Sequence, residues 1–172
     1  MKIKITLLFI FLAAFIEVIS DDKPNNKIVN DVYDNLLKTS EPIEGYKWAP
    51  KLEVTDDTTL YALSLPVYDR DEDKFGFKIK ISQGIINKLT NGDNNVLAFL
   101  LGHELAHIKL GHLTENLNYE TSLISKALSN DDELDADKEA MKIAVDAGYS
   151  CKKILKGLQN IALNGYNTSK FE

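Results

Sequence analysis

The sequence predicts an α+β domain, mostly helical with a small β-hairpin, on three observations. Residues 59–68 and 75–82 alternate with period two around the charged segment "RDEDK", the pattern of two strands joined by a turn. The segments on either side carry apolar residues at helical spacing instead, over 27–38 and again from Asn95 to residue 163. The order is therefore helix, strands, then helices, which places helices against one small sheet.

Each element has its own signal. "KIVNDVYDNLLK" at 27–38 puts Ile28, Val32, Leu36 and Leu37 on one helical face, and Pro42 and Gly45 end it. In the second strand Phe75, Phe77, Ile79 and Ile81 point one way, while Gly76, Lys78, Lys80 and Ser82 point the other. Pro66 in the first strand calls for a free edge or an irregularity. The charges at 70–74 read as a solvated tip. Residues 84–90 form a short helix, and "NGD" at 91–93 breaks the chain and offers Asp93 as an N-cap. From Asn95 to His112 runs a helix apolar almost all round, at Val96, Leu97, Phe99, Leu100, Leu101, Leu105, Ile108 and Leu110, so it belongs in the core. A polar link at 113–128 follows. A further helix begins near "SNDDEL" and closes at Gly148. Ser150 caps a last helix over 151–163.

The first twenty residues are a separate object. Lys2 and Lys4 precede residues 5–16, a run of twelve that is apolar but for Thr6; Val18 and Ser20 stand at −3 and −1 to a cut before Asp21. That is the layout of a secretory signal peptide, too short for a comfortable membrane span. The alternative is an uncleaved N-terminal anchor. Residues 1–20 are thus expected as signal and 21–172 as one domain, starting with a flexible "DDKPNN". Export to the periplasm or the exterior follows, with no stable span after cleavage. Without Lys2, Lys4 and Glu17 the mature chain has 18 basic and 25 acidic residues, a net charge of −7. Arg70 is the single arginine, so no basic stripe exists for nucleic acid. The one cysteine, Cys151, excludes an internal disulfide. It reads as a small buried or half-buried residue, although Lys152 and Lys153 beside a helix start would favour its thiolate.

All three histidines lie within "HELAHIKLGH", residues 103–112. His103 and His107 are four apart, so their rings leave one face of a helix about a turn apart, as two ligands of one zinc ion require. Glu104 sits beside them as a general base that is not a ligand; H-E-x-x-H supplies two ligands and a base. Burying two imidazoles and a carboxylate unpaired would cost several kcal/mol, which a metal removes. A third ligand is needed, and positions 110 and 113 are leucines. His112, five residues past His107, points well around the helix and is expected to bond locally or sit at the helix end. The acids of "DDELDADKEA" meet the need. Glu133 and Asp137 share a helical face and Asp135 points away. Glu133, the longer, is the expected ligand; Asp137 is expected to accept a ring N–H from a ligand histidine. Asp131 and Asp132 are explained by the helix dipole alone.

"HELAHIKLGH" followed by "ELDADKEAMKIAVDAGY" resembles the gluzincin metallopeptidases of family forty-eight, which include HtpX-like membrane proteases, type I CAAX prenyl proteases and BepA-like periplasmic proteins. Their pattern, H-E-x-x-H and then a helix bearing E-x-x-A-D, matches here at Glu133, Ala136 and Asp137, with Ala147, Gly148 and Tyr149 closing the helix. The resemblance implies a zincin-like fold with an active-site helix, a second ligand-bearing helix and a small sheet. It implies one zinc per chain on His103, His107 and Glu133, with Asp137 bracing His103. It also implies hydrolysis of peptide bonds in a protein substrate. An extended substrate is expected to pair with an edge strand of the hairpin. The chain departs from the pattern in a longer, more charged hairpin tip and in lacking a later His-Pro…Arg segment. The oxyanion-stabilising residue is therefore unassigned, with Tyr149, Tyr166 and Arg70 as candidates. That gap motivates a second expectation from another class: an export factor that holds unfolded clients without cutting them.

Overall fold

In the computed structural model, residues 24–115, 117–118, 123–124 and 128–163 are described. The signal segment 1–20 and Tyr166 lie outside them. Helix α1 (Pro24–Lys38) leads into strand β1 (Lys47–Thr55), and strands β2 (Ala62–Asp69) and β3 (Lys74–Ser82) follow. The chain continues through α2 (Gln83–Ile85), a single π-helical turn (Ile86–Thr90), α3 (Asn94–Lys109) and α4 (His112–Glu115). Two short paired strands, β4 (Leu117–Asn118) and β5 (Leu123–Ile124), precede α5 (Asn130–Asp146) and α6 (Cys151–Leu163). Among the described residues no helix is long and apolar enough to cross a membrane.

The sheet holds three strands in the order β1-β3-β2. The hairpin is present, β2 antiparallel to β3 with Ala62 opposite Ile81 and Asp69 opposite Lys74. The sequence expectation missed β1, which runs parallel to β3 from Lys51–Lys78 to Thr55–Ser82. Its segment carries Pro50 and lacks a clean alternation, so no local pattern marks it. Pro66 sits on β2, an edge strand, where its missing N–H breaks no ladder. The tip is more than a solvated turn, because Lys47 of β1 reaches Asp69 and Glu72 at 2.6 Å each.

Phe77, Ile79 and Ile81 of β3 face the helices and are buried. Against them pack Leu97, Leu101, Leu105 and Ile108 of α3, and Val29, Val32, Tyr33 and Leu36 of α1. The α1 face thus includes Val29 and Tyr33, and Ile28 is exposed, contrary to the expected phase. Pro24–Asn26, expected as a loose N-terminus, already belong to α1, consistent with proline's fitness for a first helical turn. Cys151 is exposed rather than buried.

Helix α3 is the central strut. Asp93 caps it by accepting from the Asn95 N–H. It ends sooner than expected: Gly111 adopts φ +77°, a left-handed stop that suits glycine. Leu110 at that end is exposed, and His112 begins the separate short α4. Helix α5 packs directly on α3 through small residues. Ala136, Ala140 and Ala144 are fully buried, and a Cβ on Gly102 would stand 3.2 Å from the Ala140 carbonyl oxygen. This close approach brings the start of α5 level with the last turns of α3.

A candidate metal centre between two helices

The position of each site residue follows from α3 and α5. His103 and His107 leave one face of α3 a turn apart, with their ring centroids 4.6 Å apart. Glu133 lies in the first turn of α5. Ser129 begins that helix with a reciprocal capping box, its hydroxyl accepting the Asp132 N–H while the Asp132 carboxylate accepts the Ser129 N–H. The cap fixes where α5 starts, and so which α5 side chains meet α3.

The three expected ligands converge. The Nε2 atoms of His103 and His107 are 2.9 Å apart. Glu133 Oε2 is 3.1 Å from His103 Nε2, and its Oε1 is 3.4 Å from His107 Nε2. Two donors each about 2.0–2.1 Å from a shared tetrahedral ion stand about 3.3–3.4 Å apart. The observed separations fall within a few tenths of an ångström of that, so these residues fit a divalent metal of zinc's size. Among the described residues, His103, His107 and Glu133 are the group of histidine, cysteine and acidic side chains close enough to hold one.

The outer ring atoms are also occupied. His103 Nδ1 lies 2.9 Å from Asp137 Oδ1. His107 Nδ1 lies 3.0 Å from His112 Nδ1, so His112 bonds locally, to the second histidine. Asp135 faces away and pairs with Lys138 at 2.8 Å. The expected sharing of faces on α5 therefore matches the structure.

Glu104 is buried on the neighbouring face of α3. Burial raises its pKa, partly offset by a hydrogen bond from the Ser64 hydroxyl and by the His103 charge. Ser64 donates to Glu104 Oε2 at 2.5 Å and lies 3.1 Å from the Glu104 carbonyl oxygen. The electrostatics of the rings diverge. Burial works against a charged His103, but hydrogen bonds to Asp137 and Glu133 outweigh it and hold its pKa at about 9. His107 is lowered to about 4 by burial and by the adjacent His103 charge. The Glu133 carboxyl is held below its usual range, chiefly by its hydrogen bond with His103.

Sequence reasoning missed two contributors. Ser64 had a signal, a hydroxyl on the inward-facing side of a strand beside Ala62. Asp132 was credited to the helix dipole alone, since His112 comes from another element. His112 was expected to bond locally, without its partner being named. Two of the oxyanion candidates, Arg70 and Tyr149, lie among the described residues. Arg70 is exposed in the β2–β3 turn. Tyr149 follows the far end of α5, whose last residue, Asp146, lies about 20 Å along the axis from Glu133 at 1.5 Å per residue.

No curated protein matches the chain. The sequence model of Peptidase family M48 matches residues 73–125, a stretch that carries His103, Glu104 and His107 and stops short of Glu133. The chain is similar over that stretch to a family of metallopeptidases, and a possible His/Glu metal site accompanies the likeness.

Proposed function

We propose that this chain is a zinc-dependent endopeptidase that hydrolyses peptide bonds of exported or envelope proteins. The observation that carries this is the convergence of His103, His107 and Glu133 at zinc-compatible spacing beside the buried carboxylate of Glu104. His103, His107 and Glu133 would hold the zinc ion, which would supply Lewis acidity toward a carbonyl and a water.

The chain's own groups do the rest. Ser64 engages Glu104 Oε2, which leaves Oε1 to take the proton from the attacking water. A carboxylate whose pKa burial has raised is suited to hold that proton and pass it to the leaving amine nitrogen. Asp137 holds the His103 ring by its Nδ1. Among the described residues, strand β2 has β3 on one side only. Its residue Ser64 touches the base, and Leu65, Val67 and Tyr68 are exposed along it. An extended substrate that adds to that edge would pass over Glu104, with backbone hydrogen bonds supplying affinity.

Those exposed apolar side chains also favour a second reading, in which β2 holds unfolded clients without cutting them. Casein digestion by the purified chain separates the two. Cleavage abolished by a chelator and restored by zinc supports the peptidase. Intact casein in the presence of zinc, with clients kept soluble, supports the holdase and overturns the peptidase.

A further inference from the structure

His112 and Asp132 stand behind the metal-facing side of His107. His112 opens α4 just past the Gly111 turn and is buried. Its ring meets that of His107 edge-on, with centroids 5.2 Å apart. The two Nδ1 atoms, 3.0 Å apart, share a single proton. Which ring owns it follows from the opposite edge of His107. There His107 Nε2 faces His103 Nε2 at 2.9 Å and Glu133 Oε1 at 3.4 Å. To offer that atom as a lone pair, His107 must carry its proton on Nδ1. His112 Nδ1 is then the acceptor, and a neutral His112 keeps its own proton on Nε2. That nitrogen points towards Asp132 Oδ1, 3.9 Å away, while Oδ2 of the same carboxylate takes the Ser129 N–H and hydroxyl at 2.7 Å each.

We propose that His112 is a positioning residue for the metal centre, accepting the Nδ1–H of His107 so that Nε2 faces the ligand cluster, with Asp132 orienting His112 in turn. This rests on the metal-site reading above. The carboxylate that caps α5 thus also lies within ion-pair distance of His112, at 3.9 Å. Both sides of the site are then built alike: Asp137 braces His103, and His112 braces His107. Such partners fix the tautomer and ring orientation of a ligand, and their loss costs about 10–100-fold in metal affinity.

The test measures zinc binding, not peptide cleavage, by competition with a chromophoric chelator on the whole chain. His112→Leu should raise the zinc Kd about 10–100-fold and alter the visible spectrum of the cobalt-substituted protein. His112→Asn, whose side-chain oxygen can stand where Nδ1 stood, should recover most of the affinity and the wild-type spectrum. A folded His112→Leu that matches a tightly binding wild type overturns the proposal alone. A wild type that takes up no zinc overturns the metal-site reading with it. Should the leucine variant not fold, the unmodified protein still decides. With three histidines in the chain, imidazole nitrogen NMR of the zinc-loaded form resolves each ring. His112 as the Nε2–H tautomer supports the proposal; the Nδ1–H tautomer overturns it.

Discussion

The Ser64 hydroxyl donates a 2.5 Å hydrogen bond to the Glu104 carboxylate across forty residues of sequence, joining an edge strand of the sheet to the central helix. Both side chains are buried, so no bulk water replaces the donor if it is removed. Ser64→Ala should cost about 1–3 kcal/mol of stability through the unsatisfied carboxylate, read from chemical denaturation. The Glu104 pKa, already raised by burial and lowered in part by Ser64, should rise further. The acid limb of kcat/KM then moves to higher pH while zinc content stays unchanged. An acid limb that stays in place would remove Ser64 from the account of the base.

Glu104→Gln keeps the shape of the side chain and removes its basicity. Glu104 lies outside the donor cluster, so zinc content should match the wild type while turnover falls by about 10²–10⁴-fold. Metal analysis beside a peptide assay checks both halves, and retained activity would sink the mechanism.

Three acids on α5 should differ in a set order. Glu133→Ala removes one of three donors, and zinc should be largely lost on dialysis, with activity. Asp137→Ala leaves the donors but frees His103 at Nδ1, costing about 10–100-fold in affinity or activity. Asp135→Ala loses only an exposed pair with Lys138, within about 0–1 kcal/mol. Zinc content and activity of the three single variants decide the ranking; equal damage at 135 and 133 would mean that the ligand is misassigned.

Zinc uptake should release protons. In the zinc-free protein the His103 pKa is about 9, so at pH 8 the ring is mostly charged and must lose a proton to become a ligand. Calorimetry in buffers of different ionisation enthalpy should show about one proton released at pH 8 and fewer above pH 10. The sign for stability runs the same way. A pKa raised above the ordinary 6.5 gives the zinc-free fold stability that is complete below about pH 6.5 and lost as pH rises through about 9. Zinc-free melts that stay flat across that window would contradict the ring network.

Export has a separate check. N-terminal sequencing of the mature chain from cells should return a start at or near Asp21. An intact 1–20 segment in the membrane fraction would favour an anchor instead.

The sequence by itself determined the main helices, the hairpin and the spacing of the candidate donors. Helical phase is local, so the four-residue spacing of His103 to His107 and of Glu133 to Asp137 gives each pair a common face wherever its helix goes. Hairpin register is local too, set by alternation around a short turn. Tertiary structure alone decided the rest. Strand β1 forms because β3 offers it a parallel edge, a non-local pairing that leaves no pattern in its own residues. The phase of α1 was settled by what Val29 and Tyr33 pack against, not by its composition. The partners of the site were decided in the same way. Ser64 gains its role only because β2 lies beside α3, and Asp132 comes near His112 only because Gly102 and the alanines of α5 let two helices close to within side-chain reach. A hydrogen bond between residues thirty or forty apart depends on the packing of the whole core, and no window of sequence contains that.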